Sequence, residues 1–320
     1  MRKSKKTALI IAVVLIAAGF AASLAALAML EFDFTRMNTI SFVTNTYSID
    51  EAISCISISG AECDVRLLPA NDGASKVVCY ESDKISHCVT VKDSTLMIER
   101  RDAREWYEHI GAYWGAMEIA IYLPQSEYET LYIKNLSGDI VIPEDFTFES
   151  ADIQSTSGDV DFRASVSGDL AVKTVSGDLL VGKTNPDKLT AQSTSGDMTV
   201  ESVNVQTKIE MKTVSGDIDL SNVRSQCITA DTTSGEVDFD HVITVGSIHI
   251  ESVSGDVELN KCDADTLWLK TSSGDVSGFL LTEKIFLTDT SSGDVNVPHS
   301  ASGGKCEITT TSGNIKFVSN

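Results

Sequence analysis

Ten Ser-Gly dipeptides between residues 137 and 313 follow one another at intervals of 19 or 20 residues. The next residue is Asp in eight of the ten copies and Glu236 or Asn314 in the other two. A fixed period near 20 residues is typical of solenoid proteins, in which each repeat packs only on its neighbours. We therefore expect most of this chain to coil rather than to form an ordinary globular domain.

Apolar and polar residues alternate on both sides of each Ser-Gly. Around Ser215, for example, Ile209 and Met211 precede the dipeptide, and Ile218 and Leu220 follow it. A period of two is the pattern of a β-strand with one buried face, and no segment of helical period intervenes. The sequence thus predicts an all-β protein, a β-solenoid (β-helix) of about ten 19–20-residue coils. Each coil is a short strand, a corner, a second short strand and a return.

Glycine occupies the same corner position in every coil, as expected where the backbone needs φ > 0 or where neighbouring coils approach closely. The predicted structural corner residues are Gly138, Gly158, Gly177, Gly196, Gly216, Gly235, Gly255, Gly274, Gly293 and Gly313. The last coil, which runs to Asn320, is expected to form the open end of the stack.

The acidic residue after each corner glycine forms a predicted column. Carboxylates stacked at about 4.8 Å repel by roughly 0.9 kcal/mol per neighbouring pair even at the dielectric constant of water. Calcium would relieve that repulsion, although one carboxylate per coil is fewer ligands than calcium solenoids supply. The alternative, which we favour, is that each Asp accepts a corner N–H and otherwise faces solvent. The candidate metal ligands are Asp178, Asp197, Asp217, Asp256, Asp275 and Asp294.

No other cofactor is expected. The stretch GDLLVGKT (177–184) matches the phosphate-binding P-loop pattern, but Leu179 and Val181 occupy inward strand positions, and Pro186 stands where a helix should begin. The seven cysteines include no Cys-x-x-Cys pair, which leaves a zinc site without support from spacing. Neither His-Glu-x-x-His nor Gly-x-Ser-x-Gly occurs, and the five histidines are scattered, so we expect no catalytic residues and no enzyme.

The amino terminus combines a basic start, MRKSKK, with 23 uncharged residues over 8–30. At ~1.5 Å per residue that segment is roughly 34 Å long as a helix, enough for a ~30 Å hydrocarbon core. The basic flank predicts a cytoplasmic start and an extracellular body. A cleaved signal peptide is the alternative, because Ala26-Leu27-Ala28 resembles a cleavage site. The expected division is a cytoplasmic tail (1–7), a membrane anchor or signal peptide (8–30), an irregular β cap (31–130) and the solenoid (131–320).

The predicted cap carries the other candidate interaction residues. Four stretches alternate like strands, over 53–69, 76–81, 87–100 and 117–124. Between the last two lie Trp106, Tyr107, Tyr113 and Trp114, which are candidates for binding a glycan or a protein partner. The alternative is that these rings fold back onto the cap or rest at a membrane interface.

Charge narrows the class of partner. The net charge is −21, and residues 136–320 hold 29 acidic against 12 basic side chains. Such a body repels phosphate backbones, which argues against nucleic acid as a partner. Cations, basic proteins and cationic surfaces remain as candidate partners, and the negative charge also favours solubility.

The TxSGD coils, the amino-terminal apolar segment and the stretch MEIAIYLPQSEYETLYIKNLSGDI (117–140) together resemble one bacterial family. These are the LiaG-like β-strand-repeat proteins, labelled "putative adhesin", whose function is undefined. The resemblance implies a surface location and a non-enzymatic role. We therefore expect a membrane-anchored cell-surface protein whose acidic solenoid is a scaffold for adhesion or envelope interactions, with a surface protein or glycan as partner. The alternatives are a regulatory partner of a membrane envelope-stress sensor, a calcium-binding solenoid and a carbohydrate-active enzyme.

Overall fold

The computed structural model describes residues 2–29, 42–82, 84–106 and 117–319. Beyond one amino-terminal helix, the fold consists of two facing sheets that enclose a continuous apolar core. The elements are α1 (Arg2–Met29), β1 (Val43–Ile49), β2 (Cys55–Glu62), β3 (Asp64–Pro69), β4 (Ser75–Glu81), β5 (Ile85–Lys92), β6 (Thr95–Asp102), β7 (Glu118–Leu123), β8 (Glu127–Ser137), β9 (Ile140–Ile142), β10 (Thr147–Ser155), β11 (Val160–Phe162), β12 (Ser165–Val166), β13 (Asp169–Lys173), β14 (Leu179–Gly182), β15 (Lys188–Gln192), β16 (Met198–Glu201), β17 (Lys208–Lys212), β18 (Ile218–Ser221), β19 (Arg224–Asp231), β20 (Val237–Asp240), β21 (Ile243–Glu251), β22 (Val257–Cys262), β23 (Thr266–Lys270), β24 (Val276–Leu280), β25 (Lys284–Ser292), β26 (Val295–Asn296), β27 (Gly304–Ser312) and β28 (Ile315–Ser319).

The amino-terminal helix covers most of the segment predicted to enter a membrane. Its side chains are described over 13–25 and 28–29, where all of them are exposed. In the part of the chain that the structure describes, no helix has both the length and the apolar character needed to cross a bilayer. The membrane-spanning segment over 8–30 therefore stays a prediction.

Each coil contributes one strand to each sheet, and the coils stack in parallel. The first sheet holds the strands that follow the Ser-Gly corners, in the order β1-β4-β7-β3-β9-β11-β14-β16-β18-β20-β22-β24-β28-β26. The second holds the strands that precede the corners, in the order β5-β6-β2-β8-β10-β13-β15-β17-β19-β21-β23-β27-β25, with β12 beside β10. We call one strand from each sheet a rung. The predicted β-solenoid of about ten coils is confirmed.

Packing inside the stack follows the period-two pattern. Ile218 pairs with Met198 on one side and Val237 on the other, so equal repeat positions stack into columns. Ile218 and Leu220 are both buried. Because every coil places an apolar side chain at the same depth, the core runs unbroken along the whole stack.

In five of the coils, the return segment forms a second corner at which a residue other than glycine adopts φ > 0. Five residues at the same repeat position adopt φ between 52° and 56°, in the left-handed region. They are Lys183, Ser202, Asn222, His241 and Lys261. The residue after this corner turns inward, as the buried Val203, Val223 and Val242 show. The return therefore supplies a third apolar column between the two sheets.

Part of the predicted irregular cap over 31–130 continues the solenoid: among its described residues, β2, β3, β6 and β7 form parallel rungs. β2 pairs in parallel with both β8 and β6, and β3 pairs in parallel with both β9 and β7. Ile56 and Ile58 stand opposite Leu131 and Ile133, so the same apolar columns extend into this region. Two further rungs, β2/β3 and β6/β7, therefore lie below the first Ser-Gly-Asp coil. Antiparallel β1, β4 and β5 close that end of the core.

At the other end, the spatial order of the rungs differs from their order in the chain. β27 pairs with β23 on one side and β25 on the other, and β28 lies between β24 and β26. The coil over 304–319 is thus inserted, and the coil over 284–296 forms the open end. The expectation that the coil reaching Asn320 would be terminal is wrong.

Side-chain burial explains the exchange. In the inserted coil, Ile308 and Ile315 are fully buried, whereas the end coil has Thr288 and the half-exposed Val295 at the same repeat positions. Gly278 in β24 leaves room for the ring of Phe317, because a Cβ there would lie 2.9 Å from Cε1 of that ring. The coil over 304–319 is the more apolar of the two, and its position between two neighbouring rungs buries more apolar surface than the end position would.

The connection that crosses the inserted rung is held by a buried charge pair. Lys284 is 3% exposed, and its Nζ lies 2.6 Å from Oδ1 of Asp263 and 2.7 Å from Oγ1 of Thr282. A buried ammonium group needs such partners, because water is not available to solvate it. The pair fixes the start of β25 against the end of β22.

Candidate interaction surface

Close approach of neighbouring backbones accounts for all ten corner glycines. A Cβ built on any of them would lie 1.9–2.4 Å from backbone atoms of the adjacent rung. At Gly216 the nearest atom is the carbonyl oxygen of Gly196, at 2.1 Å. From Gly138 to Gly196 the corner φ also lies between 97° and 157°, a region that favours glycine. In the first Ser-Gly rungs, both the positive φ and the close backbone approach require glycine. In the later rungs, the close backbone approach alone requires it.

The acidic residues after the corner form a hydrogen-bonded ladder. Each backbone N–H in this column donates to Oδ1 of the residue one rung before it, over 2.7–3.0 Å. The ladder starts at Asp64 in β3, which accepts the N–H of Asp139. In the described part of this column, the one missing step is at Asp256, whose neighbour Glu236 has the longer side chain. The carboxylates thus satisfy corner N–H groups that would otherwise have no partner.

The ladder does not gather the predicted calcium ligands into a chelating group. Within the described residues, two groups of three potential ligands have their atoms within 4.8 Å of one another. They are Cys79, Glu81 and His87 in one case, and Asp231, His249 and Glu251 in the other. Asp178, Asp197, Asp217, Asp256, Asp275 and Asp294 belong to neither. Calcium binding by this column stays a prediction.

A second column of carboxylates lies beside the ladder on the outer surface of the first sheet. Asp161, Asp219, Asp238 and Glu258 stand two residues beyond the ladder positions and also point outward. We call the two columns together the acidic face. Burial, and then the charges of neighbouring carboxylates, raise the pKa of both Asp219 and Asp238. The acidic face therefore carries more negative charge than the basic side chains near it neutralise.

A groove of about 550 Å³ runs along the carboxyl-terminal half of the acidic face. Its lining side chains come mainly from the two acidic columns, with Lys316 as the one basic residue among them. They are Glu236, Val237, Asp238, Asp256, Glu258, Asp275, Ser277, Asp294, Asn296, Asn314, Ile315 and Lys316. The shape and charge suit an extended cationic segment better than a compact neutral ligand.

The outer surface of the second sheet carries an aromatic pair that the sequence did not reveal. The rings of His249 and Trp268 stack at 3.9 Å, and Nζ of Lys270 lies 5.8 Å from the Trp268 ring centre. These side chains come from successive coils, so their contact depends on the rung register. Only a correct alignment of the coils would have placed them together.

The aromatic candidates of the amino-terminal region are described only in part. Trp106 is 76% exposed, whereas Tyr107, Tyr113 and Trp114 lie outside the described residues. Close to Trp106, Nη2 of Arg104 lies 2.6 Å from Oδ2 of Asp102. The hydrogen bond from Arg104 holds the pKa of Asp102 well below its usual range. A glycan or partner site at these four rings stays a prediction.

The parallel rungs and the corner ladder define the chain as a β-solenoid repeat protein. The chain belongs to the family described as Toastrack DUF4097, which matches residues 53–316. The family resemblance seen in the TxSGD coils is thereby confirmed. No protein of curated function matches the chain.

Several solved structures are similar to it. One is a putative adhesin from Bacteroides fragilis, with 17% identity, a TM-score of 0.44 and coverage of 88% of this chain and 99% of that one. A putative adhesin from Parabacteroides distasonis has 14% identity, a TM-score of 0.46 and coverage of 88% and 98%. A putative lipid binding protein from the same organism has 13% identity, a TM-score of 0.40 and coverage of 86% and 96%.

Proposed function

We propose that this protein is a non-enzymatic, adhesin-like scaffold of the bacterial cell surface. Its solenoid presents the acidic face to a cationic protein or surface. The segment over 8–30 anchors the chain in the cell membrane and places the carboxyl-terminal body outside. The observation that carries the proposal is the acidic face, which extends over successive rungs of a rigid stack.

Two properties of the acidic face support a binding role. The ladder bonds hold one oxygen of each Asp in place, so the column keeps its spacing without ordering by a partner. Burial, and after it the charges of neighbouring carboxylates, raise the pKa of Asp219 and Asp238, so like charges lie close together on this face. A cationic partner would relieve this repulsion, and the preordered surface would lose little conformational entropy on binding.

Binding of an oligolysine peptide to the purified full-length protein tests the role of the acidic face. The informative variant is Asp238→Asn combined with Glu258→Gln, because both side chains line the groove and neither belongs to the ladder. We expect about tenfold weaker binding at low salt, on the order of 0.7 kcal/mol per charge. The matched control, Glu210→Gln with Glu307→Gln, removes the same charge from the outer surface of the second sheet. Equal losses in the two double variants would reject the acidic face as the binding surface.

Labelling of intact cells with a membrane-impermeant amine reagent tests the location. The exposed Lys305 and Lys173 should react in cells that produce the full-length chain. Protection of both lysines until the cells are lysed would contradict a surface location. Crosslinking on the same cells distinguishes adhesion from regulation, since recovery of a membrane sensor kinase would favour the regulatory alternative.

A further inference from the structure

Three metal-binding side chains meet between the sheets at the amino-terminal end of the stack, on neither outer face. Cys79 and Glu81 lie on the inward side of β4, and His87 lies in β5. One potential ligand atom of each residue lies within 4.8 Å of those of the other two. The three residues are 0%, 3% and 7% exposed, respectively. A buried thiol, carboxylate and imidazole in contact are unusual in a core that is otherwise apolar.

Hydrogen bonds orient the carboxylate at the centre of this cluster. Oε1 of Glu81 lies 3.2 Å from Nδ1 of His87, and Oε2 accepts hydrogen bonds from the Asn45 amide and, at 2.9 Å, from the Tyr47 hydroxyl. Burial raises the pKa of Glu81, but the hydrogen bonds from the Asn45 amide, the His87 backbone N–H and the Tyr47 hydroxyl outweigh it, and the net shift is downward. A carboxylate anion is therefore held in the core.

Only one of the two ring nitrogens of His87 has a hydrogen-bond partner among the described residues of the protein. Nδ1 of His87 faces Glu81, whereas Nε2 is buried and has no hydrogen-bond partner. Burial lowers the pKa of His87 more than the neighbouring Glu81 raises it, which leaves a neutral ring able to act as a ligand.

We propose that Cys79, Glu81 and His87 form a binding site for a zinc-class transition metal ion, coordinated by the Cys79 sulfur, a Glu81 carboxylate oxygen and the His87 imidazole. In a tetrahedral zinc site with bonds of ~2.0–2.1 Å to oxygen and nitrogen, those two ligand atoms lie about 3.3 Å apart. The separation of 3.2 Å between Oε1 of Glu81 and Nδ1 of His87 is close to that value, so Nδ1 is the imidazole nitrogen that would bind the ion. A dication with one thiolate and one carboxylate also gives an electrically neutral site, which suits a buried position.

The ligand chemistry selects the class of metal. Sulfur and imidazole nitrogen favour zinc and neighbouring transition metals, whereas calcium and magnesium require oxygen ligands. Burial, followed by the charges of Glu81 and Cys63, raises the pKa of the Cys79 thiol to about 12. A thiolate ligand requires the loss of that proton when the metal binds.

The cluster lies close to the edge of the first sheet. β1 is the outermost strand of that sheet and pairs with β4 alone among the described strands. It carries the exposed Asn45 and the half-buried Tyr47, the two side chains that cover Oε2 of Glu81. Displacement of this edge strand would open the cluster without disturbing the rungs of the solenoid.

Titration of the reduced full-length protein with Co²⁺, followed by competition with Zn²⁺, tests the site. We expect one equivalent of Co²⁺ to bind with a thiolate-to-cobalt charge-transfer band, and Zn²⁺ to abolish that band. Millimolar Ca²⁺ should leave it unchanged. Wild-type protein that binds Co²⁺ without this band, or binds none, would overturn the proposal.

Substitutions locate the ion. Cys79→Ser should remove the charge-transfer band and weaken Zn²⁺ binding at least 100-fold, and His87→Gln should weaken it at least tenfold. The matched control is Cys262→Ser, which alters an equally buried thiol in the solenoid and should leave both readouts unchanged. Melting temperatures check that each variant folds, and if Cys79→Ser does not fold, His87→Gln decides. Unchanged binding in His87→Gln, or a band lost in Cys262→Ser, would overturn the assignment.

Discussion

The insertion of the β27/β28 rung predicts which engineered cysteines will form a disulfide. On the outer surface of the second sheet, Thr309 stands directly opposite Lys270 on one side and Asp289 on the other. Adjacent strands are about 4.8 Å apart, so Lys270 and Asp289 are separated by about 9.6 Å. Disulfides require Cα atoms roughly 4.4–6.8 Å apart.

The double variant Lys270→Cys/Thr309→Cys should therefore oxidise to a disulfide, and Lys270→Cys/Asp289→Cys should not. Mass mapping of peptides under non-reducing conditions identifies the linked residues in the presence of the native cysteines. If the rungs stacked in chain order, the outcome would be reversed. A 270–289 disulfide formed in place of 270–309 would refute the inserted order.

Stability provides a second measure of the same arrangement. Ile315 and Val295 occupy the same repeat position, but Ile315 is 0% and Val295 45% exposed. Ile315→Ala should lower the free energy of unfolding by about 2–5 kcal/mol, and Val295→Ala by less than about 1 kcal/mol. Urea denaturation measures both values, and a larger loss at Val295 would contradict the inserted order.

Four further substitutions test the rest of the stack. Gly216→Ala should lower the free energy of unfolding by about 3 kcal/mol or more, because its Cβ would lie 2.1 Å from a carbonyl oxygen. Gly60→Ala should lower it by about 1 kcal/mol, because this position has open space around it and a φ of 72°. Equal losses measured by urea denaturation would reject the close-approach argument. Asp263→Ala should lower the free energy of unfolding by about 3–5 kcal/mol, because Lys284 would stay buried without a carboxylate partner. A loss below about 1 kcal/mol in thermal unfolding would contradict a stabilising role for this ion pair. Because burial and neighbouring carboxylates raise the pKa of Asp219 above 3.8, the folded state holds its proton more tightly, and the free energy of unfolding falls as pH rises through that window. Asp219→Asn should flatten this pH profile, and an unchanged profile would count against it.

The rungs could be predicted because the pattern that defines them is local. Period-two alternation around Ser215 fixes which side chains of that coil turn inward, and any coil with the same alternation packs on it. The glycine-free corner at Asn222 and its equivalents was not predictable, because other residue types there carry no sequence signal for φ > 0. The rung β2/β3 was missed since Glu62-Cys63-Asp64 occupies the place of Ser-Gly-Asp after a bulge.

The spatial order of the rungs, unlike the strands themselves, could not be predicted from the alternation. Every coil offers nearly the same apolar columns, so alternation alone cannot specify which coil lies next to which. Only irregular positions distinguish the neighbours, such as Gly278 against the ring of Phe317, or Thr288 where an aliphatic side chain is usual. The buried Cys79, Glu81 and His87 were missed for a related reason. Their spacing matches no metal motif, and their contact depends on how β4 passes into β5 at the end of the core.

The position of β27/β28 has a consequence for how the chain folds. A stack that grew one coil at a time in chain order would set 284–296 directly on 266–280, a near-native arrangement that must come apart before 304–319 can enter. The productive route docks 304–319 on 266–280 first and closes the intervening loop, which is a nonlocal step with an entropic cost. Refolding of this protein should therefore be limited by an exchange of competing neighbours near one end rather than by the winding of its regular centre.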